Sequence, residues 1–111
     1  MLKIKNGREI YLTRGDDAYI DLKIQQPNFP FEEYKLSGKD ECILSVKKKV
    51  NDEEYVFQKK LENNSFHIEP KDTKNLEFGS YCYDVQLTLE VGDVLTVVET
   101  SLFYVCSEVT N

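Results

Sequence analysis

Residues 70–91 read PKDTKNLEFGSYCYDVQLTLEV, and their second half alternates without a break. Tyr81, Tyr83, Val85, Leu87 and Leu89 share one face, while Cys82, Asp84, Gln86 and Thr88 share the other. A period of two over this length specifies a strand with one buried side. The first half is turn chemistry. Asp72 is placed to cap a short helical turn by accepting backbone N–H bonds, with Thr73 to Leu76 forming that turn. Gly79 permits a sharp change of direction, and Tyr81 follows two residues later. The spacing of Leu76, Gly79 and Tyr81 lets the phenol hydroxyl bond back to the loop just upstream. The alternative is an ordinary hairpin with a loop tyrosine.

Working outward, the same alternation recurs. In AYIDLKI, Ala18, Ile20, Leu22 and Ile24 oppose Tyr19, Asp21 and Lys23. Shorter runs supply Ile10 and Leu12, then Cys42, Leu44 and Val46, then Tyr55 and Phe57, then Phe66 and Ile68. The last run, VLTVVETSLFYVC, carries a conflict: Leu95, Val97, Phe103 and Val105 share a parity with Glu99 and Ser101. A bulge or crossing near Glu99 resolves it. Between the runs, Gly92-Asp93 suits a two-residue hairpin, and Asn51-Asp52 and Asn63-Asn64 tolerate positive φ. QQPNFPFEEYKLSGKDE, with Pro27, Pro30 and Ser37-Gly38, reads as the longest loop, with Tyr34 and Leu36 pinned to the body.

These runs make about seven strands and no helix longer than a turn. The expected fold is all-β: a single immunoglobulin-like domain over residues 1–111, built as a two-sheet antiparallel β-sandwich. A tyrosine corner at Tyr81 is the specific mark of that architecture. An antibody-type disulfide is not expected. The strand Ala18–Ile24 contains no cysteine, and the residue two beyond Tyr81 is Tyr83.

Composition bounds the function. The 111 residues carry a net charge of −6, which disfavours contact with phosphates of nucleic acid or with an anionic membrane surface. The start, MLKIKNGREI, lacks an apolar signal core. Three cysteines, Cys42, Cys82 and Cys106, are therefore expected as free thiols in a reducing compartment. No catalytic, cofactor-binding or metal-binding set emerges. His67, the one histidine, alternates with Phe66 and Ile68 and should face outward. The cysteines lack zinc spacing, and the loop acids Asp16-Asp17, Asp40-Glu41 and Glu53-Glu54 lack a calcium-loop register, which leaves structural calcium as an open alternative. Lys47-Lys48-Lys49 reads as edge-strand protection against aggregation. Cys82 is expected on an outer face beneath a neighbouring segment. Tyr19, Leu102 and Tyr104 are large groups that alternation assigns to the outside, so they are the candidate interface.

Arg14-Gly15-Asp16 spells an adhesion signal, yet it joins two strands. Gly15 supplies a permissive backbone for the turn from Ile10–Leu12 into Ala18–Ile24. Asp16 can bond its own turn amides, and Arg14 can reach a neighbouring carboxylate or a partner subunit.

Three blocks, IYLTRGDDAYIDLKI, YKLSGKDECILSVKK and HIEPKDTKNLEFGSYCYDVQLTLEVGDVLTVVETSLFYVCSEVT, occur in this order over nearly the whole chain. They resemble a family of small phage and prophage proteins of Gram-positive hosts, similar to the N-terminal immunoglobulin-like module of siphophage baseplate upper proteins. The family pattern is roughly I-x-L-x-R-G-D-[TD], then Y-x-L-x-x-G-D, then I-x-P-x-D-T-x-x-L-x-x-G-x-Y-x-Y-D. Lys39 departs from it by standing between Gly38 and Asp40. The resemblance implies a non-catalytic virion structural protein of the tail or baseplate. Its partners would be other phage structural proteins and identical copies, in the virion or in the bacterial cytoplasm during prophage expression. An adhesion or carbohydrate-binding module, stacking sugars on coplanar tyrosines, is the alternative.

Overall fold

The computed structural model describes residues 1–26 and 29–107. Ten strands and one helical turn follow in chain order. They are β1 (Leu2–Lys5), β2 (Glu9–Thr13), β3 (Ala18–Asp21), β4 (Ile24–Gln26), β5 (Phe29–Tyr34), β6 (Glu41–Lys47), β7 (Phe57–Lys60), β8 (Ser65–Ile68), α1 (Pro70–Thr73), β9 (Gly79–Thr88) and β10 (Val94–Cys106). The order β1-β2-β10-β9-β6-β7 forms a six-stranded sheet, and β3 pairs with β8 to face it. The chain is thus an immunoglobulin-like β-sandwich. β4 and β5 make a separate hairpin.

Alternation places the core as expected. Ile10, Leu12, Leu44, Val46, Tyr81, Tyr83, Val85, Leu87, Phe103 and Val105 point inward from the large sheet; Ala18, Phe66 and Ile68 meet them from the small one. Phe103 sits at the centre, with Phe57 and Tyr83 edge-on to its ring at 5.8 and 6.3 Å. Two bulges settle the conflict in β10. Register slips between Thr96 and Val98, and again between Val98 and Ser101, so Leu95, Val98, Ser101 and Phe103 oppose the inward residues of β9. Each extra residue reverses the parity once, and two reversals restore it.

Several expectations need correction. The about seven strands expected are present, and three further short ones bring the described residues to ten. β1 was not foreseen although Asn6-Gly7, at φ 54° and 76°, forms the turn of a three-residue connection, Asn6 to Arg8, that folds it back onto β2. The strand expected over Ala18–Ile24 ends at Asp21; Ile24 opens β4, and β4 and β5 pair across the stretch read as a loop, whose prolines and polar residues concealed a short hairpin. The sheet is not wholly antiparallel: β2 runs parallel to β10. The helical turn is Pro70–Thr73, not Thr73–Leu76, since proline suits a first helical position. Gly92 ends a longer loop, with Leu89 N–H bonded to the Asp93 carbonyl and Gly92 N–H to the Leu89 carbonyl. Asn63 and Asn64 do adopt positive φ; Asn51 and Asp52 do not. Tyr55 precedes β7 and is exposed, and β6 lies inside the sheet, so the lysine run protects no edge. Pro27, Asn28 and the terminal Glu108, Val109 and Thr110 of the third resembling block lie outside the described residues.

Candidate interaction surfaces

The two motifs singled out in the sequence are one structural unit. Gly79 takes φ 128°, a conformation open to glycine, and turns the chain into β9. Two residues on, the Tyr81 hydroxyl donates to the Glu77 carbonyl at 2.9 Å, which closes the tyrosine corner. Against this corner packs the Arg14-Gly15-Asp16 turn. Gly15, at φ 83°, donates its N–H to the Thr73 hydroxyl at 2.8 Å, and Thr73 is fully buried. The Arg14 guanidinium lies 4.0 Å over the Phe78 ring and donates to the Leu76 carbonyl at 3.2 Å. Asp16 does not cap its own turn through its side chain. Its N–H donates to the Thr13 carbonyl, while its carboxylate takes the ammonium of Met1.

Asp72 accepts the Glu69 N–H at 2.8 Å, holding the start of α1. Its second partner was not legible in the sequence. Lys59, inward from β7, donates to Asp72 at 2.7 Å and to Glu69 at 3.2 Å. Burial opposes the Lys59 charge, but these two carboxylates prevail and raise its pKa. Lys59 in turn holds the Glu69 carboxyl below its ordinary range.

Tyr34 and Leu36 are pinned to the body as expected, and Tyr34 belongs to a second lock whose centre, Asp40, was not foreseen. Asp40 is almost fully buried and accepts three bonds: from the Tyr34 hydroxyl at 2.8 Å, the Ser37 N–H at 3.0 Å and the Glu90 N–H at 2.9 Å. The Ser37 amide, the Tyr34 hydroxyl and the Glu90 amide together hold its carboxyl below the usual range. Asp40 therefore ties the segment before β6 to the tip of the β9–β10 hairpin. Its signal was Asp three residues after Ser in a Gly-containing turn, a spacing at which a side chain bonds back to a backbone amide.

The candidate interface residues separate. Tyr19 is 64% exposed on β3 and stacks on His67 of β8, ring centres 4.3 Å apart and planes 6° from parallel. His67 in turn bonds Asp17 at 2.8 Å. Beside this stack a groove of about 460 Å³ runs along β8, with Lys60 and Asn63 on its walls. Tyr104 lies on the opposite outer face, tilted 35° against Tyr11 at 5.9 Å, with half-buried Leu102 on the same strand. Alternation named the outward residues correctly but could not say that two sheets carry them apart.

The lysine run also disperses. Lys47 lies 4.9 Å over the Tyr55 ring, Lys48 lies 4.4 Å over Tyr81, and Lys49 belongs to a turn closed by Asp52. Cys82 is half-buried in a cavity of about 140 Å³ beneath Val50 and Tyr55, and burial raises its thiol pKa. Among the described residues, no three His, Cys, Asp or Glu side chains converge to hold a metal ion. No family model matches the chain, and no curated protein or solved structure is significantly similar to it.

Proposed function

We propose that the chain is a structural module of a phage or prophage tail tip, of baseplate type, which works by binding other virion proteins and identical copies. On this reading it performs no catalysis, needs no cofactor, and binds neither nucleic acid nor membrane. It resides in the virion, and in the bacterial cytoplasm while a prophage is expressed.

The observation that carries the reading is the bond from Gly15 to Thr73, with Arg14 seated on Leu76 and Phe78. The first and third resembling blocks meet there across 58 residues, as parts of one structural signature do. Receptor adhesion is disfavoured because the Arg14 side chain is seated on Leu76 and Phe78 and the partly exposed Asp16 carboxylate is paired with the Met1 ammonium. The carbohydrate alternative calls for coplanar exposed rings. Tyr11 and Tyr104 are inclined to one another, and Tyr19 stacks on His67 across the sandwich.

The test is co-expression with the products of the neighbouring open reading frames, followed by size-exclusion chromatography. Co-elution with a tail protein is expected. A chain that ignores those neighbours and binds immobilised glycans would replace this reading with the carbohydrate one.

A further inference from the structure

We propose that the two edges of the six-stranded sheet form a head-to-tail contact between copies of this chain, basic β1 edge to acidic β6–β7 loop. β1 is the first edge of the sheet, and it exposes Lys3 and Lys5 on its outer face and the apolar Ile4 on the other, with the exposed Met1 at its start. At the other edge, the loop between β6 and β7 exposes Glu53 and Glu54, with Asp52, beside the apolar side chains Val50 and Tyr55. Each patch combines large exposed apolar groups with an excess of one charge: Lys3 and Lys5 outnumber Glu9, which faces Lys5, while Asp52, Glu53 and Glu54 outnumber the exposed Lys48 and Lys49 at the start of the same loop, and the excesses are opposite in sign.

Register places both patches at the same end of the sheet. Ile4 pairs with Ile10, Ile10 with Phe103, and Phe103 with Tyr81. The neighbouring row joins Cys82 to Lys47, the last residue of β6, from which the acidic loop departs. The two edges cannot neutralise one another within one molecule. Five interstrand steps separate them by about 24 Å, roughly three Debye lengths at physiological salt. Lys3, Glu53 and Glu54 enter no ion pair among the described residues. A second copy satisfies both patches, and the contact is heterologous, so it repeats into a ring or a filament. β1 also keeps one row of backbone groups unpaired along its outer side, which a neighbouring chain can meet.

The choice of a second copy as occupant rests on the assembly reading, and the experiment separates the two. Sedimentation velocity is run from about 10 μM to about 1 mM at low salt, then repeated at high salt. Mass is expected to rise with concentration and to fall back with salt. Lys3→Glu, and separately Glu53→Lys with Glu54→Lys, should each weaken association about tenfold, with regain when all three changes share one chain. The second variant also tests a rival cause. Starting from −6, two glutamate-to-lysine changes give −6 + 4 = −2, and relief of net repulsion alone would strengthen association. All three residues are exposed, so melting temperatures should stay near wild type; Glu53→Gln with Glu54→Gln serves if a variant unfolds. A chain that remains monomeric throughout overturns the proposal, as does association that strengthens in the double variant. Co-elution with a tail protein by such a monomer would keep the assembly reading and discard this contact.

Discussion

Gly15 donates its backbone N–H to the hydroxyl of Thr73, and this 2.8 Å bond joins the turn after β2 to the helical turn before the tyrosine corner. Thr73 is fully buried, so its hydroxyl is shielded from water, and Gly15 is half-buried beside it.

Thr73→Val keeps the shape of that side chain and removes its oxygen. The Gly15 N–H is left without a partner, which costs about 1–3 kcal/mol. For a domain of this size the melting temperature should fall by roughly 4–8 °C per kcal/mol. Thr73→Ser keeps the acceptor and should lose markedly less. Equal losses in the two variants would mean that packing, not the hydrogen bond, holds the turn.

At the corner, two changes separate backbone from side chain. Gly79→Ala meets no steric neighbour but forces a side chain onto φ 128°, so about 1–3 kcal/mol of strain is expected. Tyr81→Phe removes only the bond to Glu77, worth about 0.5–1.5 kcal/mol. Urea unfolding should rank the glycine variant as the less stable.

Asp40 predicts an acid limb. Its folded carboxyl binds a proton less readily than the unfolded one, so the unfolded state carries more protons as pH falls. The stabilisation is complete above the ordinary aspartate value of about 3.9 and disappears as pH drops through the lower folded value. Melting temperature should therefore be flat near neutrality and decline below about pH 4. Asp40→Asn should lower the neutral plateau and make that decline shallower. An unchanged acid limb would assign it to other carboxylates, Glu69 among them, whose pKa is also depressed.

Cys42 is 1% exposed, and burial pushes its thiol pKa up to about 11. Near pH 8 almost none of it is thiolate, and reagents cannot reach it. A disulfide-exchange reagent should count three thiols in denaturant and leave Cys42 unmodified in the native protein, with mass spectrometry of digested fragments identifying the site. Rapid native labelling of Cys42 would contradict the packing of β6 against β9.

Much of the sandwich was legible because alternation is a local property. The inward set of β9, from Tyr81 to Leu87, can be read from the letters, and so can Leu44 and Val46 on β6. The tyrosine corner was legible too, since Leu76, Gly79, Glu77 and Tyr81 lie within six residues. Even the trouble in β10 was visible as a parity conflict near Glu99, although two bulges, not one, resolve it. Asn6-Gly7 was a plain hairpin signal, but β1 before it is an edge strand with Lys3, Ile4 and Lys5 exposed, so it carries no buried face to read.

What the amino-acid order determined by itself, then, is which side of each strand is greasy and where the chain can turn, because both depend on neighbours one to four positions away. Only the tertiary structure decided what meets what. It placed Gly15 on Thr73, Lys59 on Asp72 and Asp40 beneath Glu90, and it sent Tyr19 and Tyr104 to opposite faces. Polar partners like these are chosen by the geometry of strands distant in sequence, and no periodicity along the chain encodes that distance.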